Sequence, residues 1–270
     1  AFPRKQPKMF DTRLGWRFEN PKMAERFELH SLGQTAENVA ERYGVARDDQ
    51  DAFALESHRR ASAAWERGDF ADEVVPVPVP PASKKEPWTT FESDECIRAD
   101  TSIDKLAKLP TVFKKDGTVT AGNSSPLNDG ASAMVVTSAE WAESRGIEPL
   151  ARVVGSAVVG VEPNYMGIGP IPAVRKVLER TGLSVDDIDL FELNEAFAAQ
   201  SLACIRELGL DPDKVNVGGG AIAIGHPVGC SGNRIATTLA HAMKRRGAKR
   251  GIATLCIGVG QGLALVLERP

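Results

Sequence analysis

Alternating strand and helix patterns over residues 131–268 constrain the fold of this chain more than any other feature. The predicted strands are Ala131–Thr137, Arg152–Val159, Ile188–Leu193, Val215–Val217, Ile252–Cys256 and Leu263–Glu268, and the helices between them are Ala139–Arg145, Pro172–Arg180, Ala196–Leu208 and Ser231–Arg246. Such alternation predicts a layered α/β domain with a mixed central sheet, in which helices cover the sheet.

The first 115 or so residues show no regular strand–helix alternation. Thr35 is predicted to cap a helix that ends at Gly44, and a longer helix is predicted over 48–67, closed by Gly68. The valines of residues 74–79 predict a strand, but prolines alternate with them, and proline cannot donate a ladder hydrogen bond. We therefore expect that strand at an edge.

Composition excludes several classes of function. The chain has 270 residues and a formal net charge of -3, so neither nucleic acid nor an anionic membrane surface is favoured as a partner. Its longest apolar runs fall short of the roughly 20 residues that span a bilayer. Four separated cysteines and four histidines disfavour a disulfide scaffold and a metal site, and indicate reduced thiols in a cytoplasmic compartment. Because the sequence starts at Ala1 without Met, we expect it to begin within a longer polypeptide.

Three loops place polar side chains beside glycines after predicted strands. They are Asn194–Phe197, Gly218–Gly232, which contains His226, and Cys256–Gly262. In open α/β sheets, sites gather beyond the carboxyl ends of the strands, and glycine lets the backbone approach a ligand closely. Histidine, cysteine and asparagine together can move protons and stabilise an oxyanion.

Each of these loops also has a purely structural interpretation. His226 can stabilise its loop, Cys256 can fill the core, and Asn194 can cap a turn. A phosphate-binding loop is excluded, since no Gly-Lys-Ser/Thr follows and the glycine spacing at 258–262 is not that of a dinucleotide fingerprint. Residues alone therefore predict a hydrolase or a transferase and go no further.

The three loops resemble the C-terminal signatures of thiolases. The similar segments are Asn194-Glu195-Ala196-Phe197-Ala198, Gly219-Gly220-Ala221-Ile222-Ala223-Ile224-Gly225-His226-Pro227 and Cys256-Ile257-Gly258-Val259-Gly260-Gln261-Gly262, preceded in family order by residues 35–40, 51–54, 120–123 and 166–170. The similarity covers essentially the whole chain. The run around 10–18 looks most like degradative 3-oxoacyl-CoA and 3-oxoadipyl-CoA thiolases of fatty acid or aromatic degradation.

The resemblance implies an acyltransferase that cleaves 3-oxoacyl-CoA with coenzyme A, or runs the reverse Claisen condensation. His226 matches the base that activates the nucleophilic cysteine, and with a water held by Asn194 it binds the thioester oxygen. Cys256 matches the thiol that moves the proton at the α-carbon. The amide of Gly258 matches one donor of a second oxyanion hole. The nucleophilic cysteine of the family belongs to a segment that should precede Ala1, so we expect an inactive, N-terminally truncated chain.

The resemblance also implies a thiolase-like layered fold (αβαβα) with one half incomplete. It further implies which residues bind the co-substrate. Residues 1–127 would form a loop or lid domain, 128–150 a remnant of the N-terminal half, and 151–270 the C-terminal half. The matched coenzyme A contacts are Phe113, Ala121, Ser125, Ala196 and Phe197. No permanently bound cofactor is implied, and the expected assembly is a homodimer or homotetramer without membrane insertion.

Alternative interpretations remain at this point. Cys230 lies at a predicted helix start, where the helix dipole could activate a thiol, or it is a small packing residue. The basic runs Arg59-Arg60, Lys84-Lys85 and Lys244-Arg245-Arg246 are interpreted as solvated faces, although one of them could meet the phosphates of coenzyme A. The chain could also be a non-catalytic thiolase-like module that binds acyl-CoA or a partner, or a relative of the ketoacyl synthases, which use two histidines where this chain offers Cys256.

Overall fold

The computed structural model describes residues 18–81, 83 and 85–270. The run around 10–18 that suggests the degradative type lies outside the described residues, apart from Phe18. In chain order the elements are α1 (Pro21–Ala24), α2 (Leu32–Tyr43), α3 (Arg47–Glu66), β1 (Val77–Val79), β2 (Thr89–Phe91), α4 (Ile103–Ala107), α5 (Ala139–Ser144), β3 (Arg152–Gly160), α6 (Pro170–Thr181), β4 (Leu190–Leu193), α7 (Ala198–Leu208), α8 (Ala221–Ile224), α9 (Ser231–Arg246), β5 (Arg250–Ile257) and β6 (Gln261–Glu268). Short 3₁₀ turns span Pro163–Ile168, Val185–Asp187 and Pro212–Lys214.

The central sheet is mixed, as the sequence predicts. Its strand order is β3-β6-β5-β4, with β3 and β5 antiparallel to β6, and β4 parallel to β5. The parallel pair brings the ends of β4 and β5 to one edge of the sheet. Asn194 follows β4 directly, and Cys256 is the second-last residue of β5. Two of the three predicted catalytic loops therefore start from adjacent strands.

Helices cover both faces of this sheet. Strand residues alternate between the faces, so Ile252 and Val266 pack against α6 and α7, while Ala253 and Leu267 pack against α9. The described residues therefore form three layers, helix–sheet–helix, with the largest apolar cluster under α6 and α7. This arrangement confirms the α/β class and the mixed sheet of the expected layered fold.

Helices α2 and α3 from the first third of the chain pack against α7 and α8. The prediction that Thr35 caps α2 is wrong. Ser31 is the N-cap, because it accepts from the Gln34 N–H at 3.4 Å while the Gln34 side chain accepts from the Ser31 N–H at 2.8 Å. Gly44 ends α2 in the left-handed conformation, as predicted. The proline-interrupted strand is confirmed in part, as the exposed two-stranded ribbon of β1 and β2.

Two predicted strands are wrong. Residues 131–137 have no regular secondary structure, and Val135 and Val136 are 87% and 76% exposed. An apolar segment becomes a strand only when a partner strand supplies its hydrogen bonds, and among the described residues none lies beside this one. Residues 215–217 form only a single bridge, from Val215 to Phe191.

The outer edge of the sheet is apolar. Strand β3 pairs with β6 on one side, and Val153 and Val158 are about half exposed, at 54% and 50%. No helix within the described ranges has the length and apolar character needed to cross a membrane. The proposed boundaries at residues 127 and 150 stay predictions, although the helices before residue 127 do form a layer over α7 and α8.

Candidate active site

His226 lies between α8 and α9 and is held from three directions. Its backbone N–H donates to Asn128 Oδ1 at 2.8 Å. Its ring nitrogens lie 2.6 Å (Nδ1) from Ser231 Oγ and 3.3 Å (Nε2) from Asn194 Nδ2. Gly225, with a φ of +106°, allows this placement, because a Cβ there would strike the Asn128 side chain.

The hydrogen bonds around His226 favour one tautomer. When Ser231 Oγ donates its single proton to the Pro227 carbonyl at 3.1 Å, the Nδ1–H of His226 donates to Ser231 Oγ. Nε2 is then left with a lone pair that accepts from the Asn194 amide. Burial, with the nearby charge of Arg234, lowers the pKa of His226, which keeps the imidazole neutral and able to accept a proton.

Asn194 is fully buried at the end of β4. Its backbone N–H donates to the Thr254 carbonyl at 3.0 Å, and its carbonyl accepts from the Gln200 side chain at 3.4 Å. No donor in the described part of the chain reaches its Oδ1. A buried amide oxygen without a donor is costly, so this atom is suited to accept from a water or a ligand.

Cys256 is buried among apolar side chains. Burial raises the pKa of its thiol to about 12, so the thiol is protonated at neutral pH. It packs in one cluster with Ala196 and Phe197, against which Phe113 is also packed. The turn that follows contains Val259 and Gly260, both with positive φ. The Leu32 side chain lies 3.9 Å from where a Cβ of Gly258 would be, so α2 borders this turn.

The expected coenzyme A contacts meet at the start of α7. Ser125 donates to the Ala196 carbonyl through its N–H at 3.0 Å and its Oγ at 3.1 Å. The rings of Phe113 and Phe197 meet edge to face with centroids 6.2 Å apart. Ala121 is exposed in the turn just before Ser125. The structure thus brings Phe113, Ser125, Ala196 and Phe197 together with Cys256, and joins Asn194 directly to His226.

Glu195 holds a loop of the site in place, which the sequence did not lead us to expect. Its buried carboxylate accepts from Ser57 Oγ at 2.7 Å, Asn216 Nδ2 at 2.7 Å and the Ile222 N–H at 3.2 Å. Burial raises its pKa, although these three bonds act in the opposite direction. Gly220 leaves the space that this carboxylate occupies. Glu195 therefore connects the loop before His226 to α3. The sequence signal that could have identified it is its position within the Asn194–Phe197 loop.

The glycine run at 218–220 serves packing. Gly219 has a φ of +79°, and a Cβ there would lie 2.6 Å from the Ser57 carbonyl oxygen. The loop therefore lies directly against α3, and the glycines are explained by close approach to that helix. Sequence reasoning assigned them to close approach of a substrate.

The other cysteines lack the features of an activated thiol. Burial raises the pKa of Cys230, opposite to the effect expected of a helix dipole, which supports its interpretation as a packing residue. Cys204 is fully buried and its thiol donates to the Gly167 carbonyl at 3.5 Å. Burial also raises the pKa of the partly exposed Cys96. Among the histidines, His58 accepts from the Arg98 N–H at 3.1 Å and stabilises the chain there.

Comparisons with known proteins agree on one family. The profile described as "Thiolase, N-terminal domain" matches residues 16–140, and that described as "Thiolase, C-terminal domain" matches residues 147–269. The chain is 54% identical to "Beta-ketoadipyl-CoA thiolase" of Pseudomonas aeruginosa, over 100% of this chain and 67% of the relative. It is also 54% identical to "Acetyl-CoA acetyltransferase" of Chromobacterium violaceum, over 93% of this chain and 64% of the relative.

Solved structures show the same relationship. The chain matches the acetyl-CoA acetyltransferase of Bacillus anthracis with a TM-score of 0.87 and 48% identity, over 95% of this chain and 66% of that one. It matches human mitochondrial 3-ketoacyl-CoA thiolase in complex with CoA with a TM-score of 0.80 and 46% identity, over 88% and 58%. The chain spans about two thirds or less of the length of these relatives. It belongs to the thiolase family of acyltransferases.

Proposed function

We propose that this chain supplies the proton-transfer half of a thiolase site, which cleaves 3-oxoacyl-CoA with coenzyme A or runs the reverse condensation. The observation that carries this proposal is the bond from Asn194 Nδ2 to His226 Nε2 at 3.3 Å, in a site where Nδ1 of the same ring donates to Ser231. It leaves one basic nitrogen, oriented and buried, beside an amide whose oxygen can hold a water.

In thiolysis, His226 Nε2 takes the proton of a nucleophilic thiol, and the sulfur attacks the 3-oxo carbon of the substrate. The bond between the α- and β-carbons breaks, and its electron pair forms the enolate of acetyl-CoA. Nε2–H of His226 and a water on Asn194 hold the enolate oxygen. Cys256 then donates its thiol proton to the α-carbon. The Cys256 thiolate takes the thiol proton of coenzyme A as its sulfur attacks the acyl-enzyme thioester. Acyl-CoA is released, and the expelled nucleophilic thiolate takes back its proton from His226.

The protonation states suit these roles. A neutral imidazole is needed for the first step, and burial lowers the pKa of His226. A protonated acid is needed for the α-carbon, and the pKa of Cys256 is raised to about 12. Two titratable groups whose environments shift their pKa values in opposite directions commonly serve as the base and the acid of one site.

The nucleophilic thiol is proposed to come from outside these 270 residues. Cys256 serves as the acid, Cys204 is inaccessible in the core, and burial disfavours the thiolates of Cys230 and Cys96. The 270-residue chain alone is therefore proposed to bind coenzyme A at Ser125, Phe113, Ala121, Ala196 and Phe197 without turnover. Coenzyme A is a co-substrate in this proposal, and no resident cofactor is needed.

The substrate and the setting are extrapolated from the relatives. Because the Pseudomonas aeruginosa relative is named as a beta-ketoadipyl-CoA thiolase, 3-oxoadipyl-CoA is the first substrate to test. The four free thiols favour a reducing cytoplasm. Exposed valines on β3 favour a homodimer or homotetramer, which sedimentation would measure.

A fusion protein tests the proposal. An N-terminal thiolase segment that supplies the expected nucleophilic cysteine is joined in front of Ala1, and thiolysis of 3-oxoadipyl-CoA is followed. We expect turnover that falls by about 100-fold or more in His226→Ala, the usual worth of a general base. His241→Ala, a partly buried histidine on α9, is the matched control and should change turnover less than twofold. Full activity in His226→Ala would overturn the proposal.

A further inference from the structure

Five arginines from two distant segments of the chain line one cavity of about 510 Å³. The cavity lies between the second half of α3 and the C-terminal end of α9. Its lining residues are Arg59, Arg60, Ala63, Arg67, Asp69, Asp213, Val217, Gly218, Arg245 and Arg246. A volume of this size accommodates a nucleotide or a short polyphosphate, and its lining is too polar for an acyl chain.

The cavity is remote from the proposed catalytic residues. Ser231, which contacts His226, begins α9, whereas Arg245 and Arg246 end it. The fifteen rises of about 1.5 Å from Ser231 to Arg246 separate the two ends by about 22 Å. The cavity is therefore not formed by the residues that position His226 and Cys256.

One arginine forms a fixed wall. Arg60 donates to the carbonyls of Val215 at 2.7 Å and Pro212 at 3.0 Å, and to the carboxylate of Glu56 at 2.6 Å. Its side chain is largely buried, and its remaining nitrogen lies 3.3 Å from Asp213. These bonds hold the guanidinium in place, so Arg60 shapes the cavity more than it offers free donors.

The other arginines keep donors for a ligand. Arg246 has no carboxylate within ion-pair distance among the described residues. Arg59 and Arg67 are paired with Glu56 and Asp69 on their own segment, but their side chains are 67% and 52% exposed. Exposed pairs of this kind are weak, so a multiply charged anion can compete for them.

The charge balance also favours an anion. Arg245 is 3.9 Å from Glu73, a long contact to a carboxylate whose pKa burial raises. Glu56 and Glu73 lie outside the lining but pair with its arginines; counted with the two aspartates of the lining, they give four carboxylates for five guanidinium groups. The dipole of α9 explains basic residues at its C-terminus, but it does not explain Arg59 and Arg60 within α3.

We propose that this arginine-lined cavity binds a polyphosphate group, as carried by a nucleotide or a free polyphosphate, at a site separate from coenzyme A binding. Guanidinium forks match the oxygens of phosphate groups, and a chain of phosphates offers such oxygens to the arginines of both segments. The proposal does not depend on the proposed thiolysis.

Calorimetric titration of the 270-residue chain with tripolyphosphate, in a phosphate-free buffer, tests the proposal. We expect saturable one-to-one binding, weakened about tenfold in Arg59→Gln/Arg246→Gln, since charge-assisted bonds are lost. The control Arg175→Gln/Arg180→Gln removes the same charge from α6 and should change the affinity less than twofold. Saturating coenzyme A should leave the affinity unchanged.

Three results would overturn the proposal. Absence of saturable binding up to millimolar tripolyphosphate would show that the cavity is only a solvated basic surface. Equal weakening in both double variants would show general attraction by charge. Competitive displacement by coenzyme A would assign the cavity to the co-substrate. Circular dichroism of each variant verifies that the fold is retained.

Discussion

Replacing Ser231 with alanine should change the protonation of His226 in a predictable direction. Ser231 Oγ lies 2.6 Å from Nδ1 and relays to the Pro227 carbonyl, so it accepts the Nδ1–H in both the neutral and the charged ring. A hydrogen bond from a charged donor is stronger by about 1 kcal/mol than one from a neutral donor. Loss of this acceptor should therefore lower the pKa of His226 further below its ordinary value.

The substitution should also remove the preference for the Nδ1–H tautomer. Without Ser231, the proton on Nδ1 has lost its acceptor, and the Nε2–H form becomes competitive once the Asn194 amide rotates to present its oxygen. The basic lone pair then moves away from the proposed nucleophile. In the fusion protein, thiolysis should fall by about 10-fold or more with a small effect on KM, because proton transfer is affected and binding is not.

Nitrogen NMR of histidine-labelled protein measures both effects without requiring turnover. The chain has four histidines, and the His226 signals are assigned by their loss in His226→Ala. Thr237→Ala is a matched control, because Thr237 Oγ1 donates to a carbonyl four residues earlier on the same helix, as Ser231 does, without the imidazole contact. Ser231→Thr keeps the hydroxyl and should keep the tautomer. An unchanged tautomer and pKa in Ser231→Ala would refute the reasoning.

Three further outcomes follow from burial and packing. Glu195→Ala should lower the free energy of unfolding in urea by about 3–5 kcal/mol, because it leaves three buried donors unpaired; a loss below 1 kcal/mol would contradict the assigned network. Gly262→Ala should cost about 3 kcal/mol, since its Cβ would meet the backbone of Gly169, whereas Gly160→Ala on β3, which meets nothing, should cost under 1 kcal/mol; equal costs would contradict the packing. Iodoacetamide at pH 8, read by peptide mass spectrometry, should modify the partly exposed Cys96 before Cys256, with the core thiol of Cys204 last, and early modification of Cys256 would contradict its pKa of about 12.

Local chemistry made much of the fold predictable. Helix α9 begins at Ser231 and ends at Arg246 as predicted, because an amphipathic stripe is followed by Gly247 in the left-handed conformation. The strands β5 and β6 were also predictable from local sequence, because two apolar runs flank a glycine-rich turn. The segment 131–137 was not, because its apolar pattern states only that it can pair, and pairing depends on a partner strand.

The residues of the candidate site were predictable where a local motif contains them. The contacts between segments that are distant in the sequence were not predictable. His226, Asn194 and Cys256 stand in motifs at strand ends. The contacts of Asn128 to His226 and of Ser57 to Glu195 span 98 and 138 residues of sequence, and no local pattern encodes them. The arginine-lined cavity has the same origin, since its arginines come from segments about 180 residues apart in the sequence and line one cavity only in the folded chain.

The rate of 3-oxoadipyl-CoA thiolysis, compared between the 270-residue chain and its fusion to the nucleophile-bearing segment, tests the central claim most directly. We expect no turnover by the chain alone and turnover by the fusion, because His226, Asn194 and Cys256 transfer protons and stabilise the enolate but none of them is the nucleophile. Comparable turnover by the chain alone would contradict this claim, and would mean that one of its own cysteines attacks the substrate.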